Sequence, residues 1–330
     1  LRYYFEDDYI DTGKFIYVPM LGREIKVKIW QNKKIPIAYG LDTFLPENGE
    51  FANITNNLYG ENGFSVYNGE DQRLMQEVIA GVGCILTARE MGFDFEILHL
   101  NEGHGVFAAL YLISELKQKG YSFKDALNEV KKKTVFTTHT PIGAGNKSRH
   151  INMILGLKVN FGLSYDELKA IGGDDTGEMF GSTTAALRVS KMANAVAMRH
   201  QSTSRELWKY VSDSCPITYI DNGVDIEYWQ DKAIRDAFEK CDLYALEKAH
   251  MENKIDLINF IKERNGVELN FNAPIIGFAR RVIEYKRADL IFQDLHRFER
   301  LIHMYNFQIV FAGKTHPKDR NSKEILKRIY

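Results

Sequence analysis

An apolar run, Ile275 to Ala279, is followed within eight residues by Arg280, Arg281, Lys286 and Arg287. The run has the length of a short buried strand. Cations gathered where such a strand ends can hold an anion, because open α/β sheets bind ligands beyond the carboxyl ends of their strands. A helix over 287–305 adds the partial positive charge of its amino terminus. Arginine grips phosphate through two parallel hydrogen bonds, and lysine acts as a point charge. The same residues equally describe a solvated basic turn at the start of a surface helix, so the other strand ends must be weighed with it.

Three more segments place polar side chains where a strand gives way to a turn. His99-Leu100-Asn101-Glu102-Gly103-His104 follows a strand and opens a helix. Glu102 and His104 there could move a proton or hydrogen-bond a sugar. Helix capping by Asn101, with Glu102 favoured by the helix dipole, explains the same residues without a ligand. Thr137 to Gly145 places His139 at a strand end, and Gly143 and Gly145 permit a close backbone approach. Asp221-Asn222-Gly223-Val224 is a strong turn signal, and the Asn222 amide is suited to reading hydroxyls. Gly172-Gly173-Asp174-Asp175 reads as an acidic surface loop rather than a cation site. The His99–His104 spacing matches no zinc motif, so no metal is expected. Arg73, Gln76 and Glu77 are expected to make buried or interface hydrogen bonds.

These segments need elements to hold them. Phe15–Val18 and Glu24–Trp30 alternate and read as strands, the second half-exposed and antiparallel. Ile35–Tyr39 reads as another, and 60–70 as a loop. Asp71–Met91 has the helix period at Leu74, Val78, Val82 and Leu86. Strand Ile97–Leu100, helix His104–Gln118 and strand Val135–Thr138 follow, an alternation that predicts a parallel sheet covered by helices. A short helix near Tyr165–Ala170, a largely helical 185–209, strand Pro216–Ile220 and a charged helical stretch over 232–264 come next. Strand 274–279, helix 287–305, strand 307–312 and a helix from about 321 form a second α/β series. A boundary at Asp221–Trp229 gives two domains, 1–225 and 226–330.

The chain has 330 residues, beyond the size at which single cores stop growing, so two domains are the default. A net charge of −1 argues against broad nucleic-acid binding and against a polybasic membrane surface. Phosphate chemistry must therefore rest on a local cluster. Cys84, Cys215 and Cys241 are too few and too irregular for a disulfide framework, which points to a reducing cytoplasm. No apolar run approaches the ~20 residues of a membrane span. Both ends read as cut: the first residue is Leu1, and the last run, Glu324 to Tyr330, has the look of a helix interior.

Together the segments resemble the α-glucan phosphorylases, the glycogen, starch and maltodextrin phosphorylase family, in its shorter microbial and archaeal form. The matching text is Leu41–Asn48, Arg73–Glu77, His99–His104, Val135–Gly145, Asp221–Val224, Gly277–Arg287 and Phe311–Pro317, in the family's order and with similar gaps. The resemblance implies a GT-B architecture, two Rossmann-like doubly wound domains with a cleft between them, the second incomplete here. It implies reversible phosphorolysis of α-1,4-glucans with retention, using inorganic phosphate and releasing glucose 1-phosphate. It implies pyridoxal 5′-phosphate as cofactor and a homo-oligomer.

By position, Arg281 and Lys286 match the residues that hold substrate phosphate, and Arg280 a cation near the cofactor phosphate. Lys314 falls in a Gly-Lys motif near the phosphates. Tyr285 matches a sugar-contacting tyrosine, and His139 the histidine whose side chain and carbonyl meet the glucosyl unit. Asn222 matches an asparagine that bonds a sugar hydroxyl, and Glu102 and His104 lie near the glucosyl end of the cleft. The family's Gly-rich phosphate loop and its Schiff-base lysine fall outside these residues, so the 330-residue chain alone is expected to be inactive. Ile283 stands where the longer animal enzymes have a polar residue. Two rivals remain: a nucleotide-sugar-dependent GT-B glucosyltransferase of the glycogen synthase kind, which also holds a diphosphate with Arg and Lys, and an inactive glucan-binding fragment.

Overall fold

The computed structural model describes residues 8–56, 70–140, 146, 148–174, 176–315 and 319–330. Residues 60–69 of the expected loop at 60–70 lie outside them, while Glu70 belongs to a helix, and Gly143, Gly145 and Asp175 also lie outside. Internal contacts divide the chain into two compact units, Leu1–Gly223 and Val224–Tyr330.

The first unit opens with an antiparallel sheet of β1 (Tyr9–Met20), β2 (Arg23–Asn32) and β3 (Tyr39–Asp42). Met20 pairs with Arg23, so Leu21 and Gly22 alone make the turn. Both have positive φ, the geometry that matches the twist of a hairpin. Ile16, Val18, Met20, Ile25, Val27 and Ile29 point inward, as strand alternation requires. The expected strand at Ile35–Tyr39 begins later, at Tyr39. Pro36 has no N–H to offer a sheet, and the Ala38 N–H turns back to the Ile35 carbonyl. The helix Glu70–Glu90 packs on β1.

The centre of the unit is a four-stranded parallel sheet of β4 (Leu98–Asn101), β5 (Thr134–Thr137), β8 (Met192–Ala195) and β9 (Ile217–Tyr219). A small antiparallel pair, β6 (Ser148–His150) and β7 (Met179–Gly181), lies between β5 and β8 in sequence. Helices Val106–Gln118, Phe123–Lys133, Ser182–Val189 and Met198–Leu207 run between the parallel strands. Phe107, Phe136 and Phe180 are fully buried. Strand β8 corrects the expectation of a largely helical 185–209. Its residues Ala193 and Ala195 are buried and it is bonded on both sides, so pairing overrides local helix propensity.

The second unit holds helices Ile226–Trp229, Lys232–Glu239 and Leu243–Asn265, then a parallel pair, β10 (Ile275–Ala279) and β11 (Gln308–Ala312). Helices Leu295–Tyr305 and Arg320–Ile329 accompany the pair. Val282, Ala288 and Ile325 form a small core with Phe278 beside it. Strand β10 is less buried than its composition predicts, with Ile276 half exposed. One face of the pair opens into an apolar groove of about 770 Å³, lined by Ile276, Leu301, Tyr305 and Phe307 among others. The fold is thus α/β, with a parallel sheet in each unit, consistent with a GT-B architecture. Among the described residues no helix is long and apolar enough to cross a membrane.

Phe136 sits at the middle of β5 with no exposed surface. Replacing it by Ala should cost about 3–5 kcal/mol of stability, read as a fall in the urea midpoint. A loss under ~1 kcal/mol would show that the sheet does not close over this side chain.

Candidate active site

Parallel strands all end on the same edge, and that edge of the first unit is polar. Asn101 ends β4 and His139 lies just past β5, and both are exposed. The two meet, with His139 Nε2 and Asn101 Oδ1 2.8 Å apart. An amide oxygen only accepts, so the imidazole donates from Nε2, and in the neutral ring Nδ1 remains an acceptor. Asn101 therefore orients a histidine and caps no helix.

Glu102 does more. Its backbone has φ 65° and ψ 164°, a conformation costly for any residue with a Cβ. Its N–H bonds to the Thr137 carbonyl at 2.9 Å. Its Oε1 accepts from the His139 N–H at 2.8 Å and from Thr140 Oγ1 at 3.1 Å. One carboxylate thus ties the turn after β4 to the turn after β5. Gly103 makes the arrangement possible: a Cβ there would lie 2.8 Å from the backbone nitrogen of Thr183, where the helix Ser182–Val189 begins.

A polar chain crosses the sheet one layer below. Thr137 Oγ1 donates to Asn194 Oδ1 at 2.8 Å, so it accepts from His99 Nε2 at 2.7 Å. Asn194 and His200 belong to β8 and the helix after it, and neither stood out in the sequence. The signal lay in the short run Met192–Val196, which a helical reading absorbed. Asn222 is exposed beyond β9, on the same edge but at the far strand.

His104 is half-buried above a buried ion cluster. Glu77 Oε1 accepts from Arg73 Nε at 3.0 Å and from Arg149 Nη2 at 2.8 Å, and Glu77 and Arg149 are almost wholly buried. Gln76 donates to the Ile54 carbonyl at 2.8 Å. Arg73, Gln76 and Glu77 thus make the buried hydrogen bonds expected of them. Burial pushes the His104 imidazole below its ordinary pKa, opposed by Glu77 and Glu102. Burial does the same to His200, again opposed by Glu102. Both rings are therefore neutral near pH 7.

The second unit carries the cations. Arg280 N–H bonds to the Ala312 carbonyl at 3.0 Å, and Val282 N–H to the Lys314 carbonyl at 3.1 Å. These bonds extend the β10–β11 pairing past its strand ends and lock the Arg280–Arg281 backbone beside Lys314. A Cβ on Gly313 would fall 2.0 Å from the Arg280 carbonyl oxygen, so only glycine allows the approach. Tyr285 and Lys286 lie in a single 3-10 turn, Glu284–Lys286, with Lys286 Nζ 4.8 Å from the Tyr285 ring centre. The expected helix over 287–305 begins only at Leu295, where Asp294 accepts from the Arg297 N–H. Arg287 is left-handed, φ 51°, which breaks any helix starting there. Among the described residues no α-helix thus begins at Arg287 to reinforce the cluster. Arg280, Arg281, Lys286 and Lys314 form no ion pair among the described residues. Among those residues no group of three or more His, Cys, Asp or Glu could hold a metal ion.

A polar strand edge in the first unit and a cluster of cations in the second are thus carried by one α/β chain, and that chain is similar to the α-glucan phosphorylases. It is 34% identical over 336 residues to the maltodextrin phosphorylase of Thermococcus litoralis, across 88% of this chain and 39% of that protein. It is 30% identical over 370 residues to the glycogen phosphorylase of Aquifex aeolicus, across 96% of this chain and 52% of that protein. The chain therefore spans about half, or less, of the length of these relatives. Glycogen synthase 1 of Synechocystis matches over 80 residues at 38% identity, 23% of this chain and 15% of that protein. No family model matches the chain.

The two depressed histidines set a pH dependence. Their folded pKa values lie below the unfolded value of 6.5, so folding favours their neutral forms. The stability this gives is complete above pH 6.5 and is lost as pH falls through the folded values. The melting temperature should therefore drop between pH 7 and pH 5, less steeply in a His200→Asn variant. A flat profile in the native protein would contradict the burial of these rings.

Proposed function

We propose that the protein carrying this chain catalyses the reversible phosphorolysis of α-1,4-glucans, with inorganic phosphate as acceptor and glucose 1-phosphate as product. The observation that carries the proposal is the pairing of chemistries on one chain. The Asn101–Glu102–His139 turn presents an oriented imidazole to hydroxyls. Arg280, Arg281, Lys286 and Lys314 present positive charge that forms no ion pair among the described residues. The similarity to maltodextrin and glycogen phosphorylases points to the same reaction.

Breaking a glycosidic bond with retention builds positive charge on the sugar, and the attacking phosphate must be held against that charge. Arg281 and Lys286 hold the substrate phosphate. Arg281 offers a bidentate fork, and Lys286 a mobile point charge over Tyr285. His139 takes a sugar hydroxyl at Nδ1 while Asn101 holds Nε2. His104, Asn222 and Tyr285 contact the glucosyl unit, and Glu102 fixes His139 through its backbone.

The cation edge also fits a phosphate monoester cofactor: two phosphates side by side need several cations, and the edge supplies Arg280, Arg281, Lys286 and Lys314. Arg280 and Lys314 would hold the 5′-phosphate of pyridoxal phosphate, whose chemistry when bound is to give and take a proton at that phosphate. Three free cysteines are consistent with a cytoplasmic protein, and we expect a homo-oligomer. The short glycogen synthase match supports the rival reading, a nucleotide-sugar glucosyltransferase, over far less of the chain.

In the whole protein, Arg281→Ala should reduce phosphorolysis about a hundredfold or more while glucan affinity changes little. Glucose 1-phosphate release from maltoheptaose and glucan binding by calorimetry read the two effects. Unchanged turnover would remove Arg281 from the phosphate site. Glucosyl transfer from ADP-glucose or UDP-glucose, without phosphorolysis, would favour the rival.

A further inference from the structure

Three buried polar atoms on the sugar-reading edge have no hydrogen-bond partner among the described residues: Oε2 of Glu102, Oγ1 of Thr138 and Nε2 of His200. Glu102 and His200 are each engaged at the other end of the side chain. Glu102 Oε1 accepts from the His139 N–H and from Thr140. His200 Nδ1 accepts the Val196 N–H at 3.2 Å. A ring nitrogen that accepts carries no proton, so the neutral imidazole bears its proton on Nε2. The edge thus holds a bare acceptor at Glu102 and a bare donor at His200, with the Thr138 hydroxyl, which can do either, beside them.

They belong to neighbouring positions. Glu102 follows β4, His139 follows β5, and His200 lies in the helix after β8, with the three strands adjacent in that order. The Thr138 N–H bonds to the Asn194 carbonyl at 3.0 Å, which fixes the β5 end against β8. The charge of Glu102 and the ring of His139 both act on the protonation of His200, so all three share one neighbourhood. A buried donor or acceptor left unsatisfied is costly, so each such atom calls for a partner. A hydroxyl can accept from an N–H and donate to a carboxylate through the same oxygen.

We propose that Glu102 Oε2 and His200 Nε2 together hold one hydroxyl of the bound sugar, which makes His200 a further binding residue of the site. The assignment rests on the reading that the protein handles glucosyl phosphate. Burial, which keeps His200 neutral, supports it by preserving the single Nε2 proton.

The test is calorimetric titration of glucose 1-phosphate into the whole protein and its variants. His200→Asn keeps an acceptor for Val196 near the Nδ1 position and removes the Nε2 donor. His200→Gln places an amide donor near Nε2. We expect His200→Asn to weaken binding about tenfold and His200→Gln to restore most of it, with melting temperatures close to the parent's. Deoxyglucose 1-phosphates, each lacking one hydroxyl, identify the group held: for one of them His200→Asn should add no further loss. Should His200→Asn not fold, Glu102→Gln serves, since it puts a donor where an acceptor is needed and should weaken binding by a similar factor. Parent binding with His200→Asn unchanged overturns the assignment, as does an equal Asn penalty for every deoxy analogue. A parent protein that binds no glucose 1-phosphate overturns the phosphorolysis reading itself.

Discussion

The Glu102 carboxylate is the tie on which the first unit's polar edge depends. It reaches from the turn after β4 to the backbone of His139 and the hydroxyl of Thr140, in the turn after β5. The strained backbone of Glu102 is the cost of that reach, at about 1–3 kcal/mol. Two accepted hydrogen bonds and the close seat of Gly103 on Thr183 offset it. Without the tie, His139 would lie at the end of a short strand with its side chain held by Asn101 alone. The orientation of the imidazole is thus secured twice, once through the ring and once through the main chain.

The second unit solves the opposite problem. Its cations repel one another, and side-chain freedom alone would let them spread apart. The backbone bonds from Arg280 to Ala312 and from Val282 to Lys314 fix where the side chains leave the chain. Charge is thereby concentrated by main-chain geometry. A net charge near zero for the chain as a whole keeps this field local.

Much of this was legible in the residues, for a physical reason. Strands ending in polar turns announce themselves through an abrupt change from apolar to polar text, as at Leu100–Glu102, Phe136–His139 and Ala279–Arg281. The buried bonds of Arg73, Gln76 and Glu77 were legible because charged groups on the apolar face of a helix need partners. Strand β8 was not. Met192–Ala195 is short and built of small residues, and two helices flank it, so only its pairing with β5 and β9 makes it a strand. With it went Asn194 and His200. The Glu102 tie was hidden too, because it joins residues 37 positions apart. The late start of the helix at Leu295 turned on one left-handed residue, Arg287, and one capping carboxylate, Asp294, which periodicity does not weigh.

The parallel sheet has a kinetic consequence. Its polar chain links Thr137 to Asn194 across 57 positions and His99 to Thr137 across 38. Each contact requires a long loop to close before any reward is gained, and such pairings form late. The β1–β2 hairpin and the helices can assemble from neighbours in sequence, whereas the polar edge of the sheet depends on contacts between residues far apart in the chain. Native helical content therefore says little about whether a given preparation has a working edge. Ligand affinity, which samples the last contacts to form, is the sharper measure of correct folding.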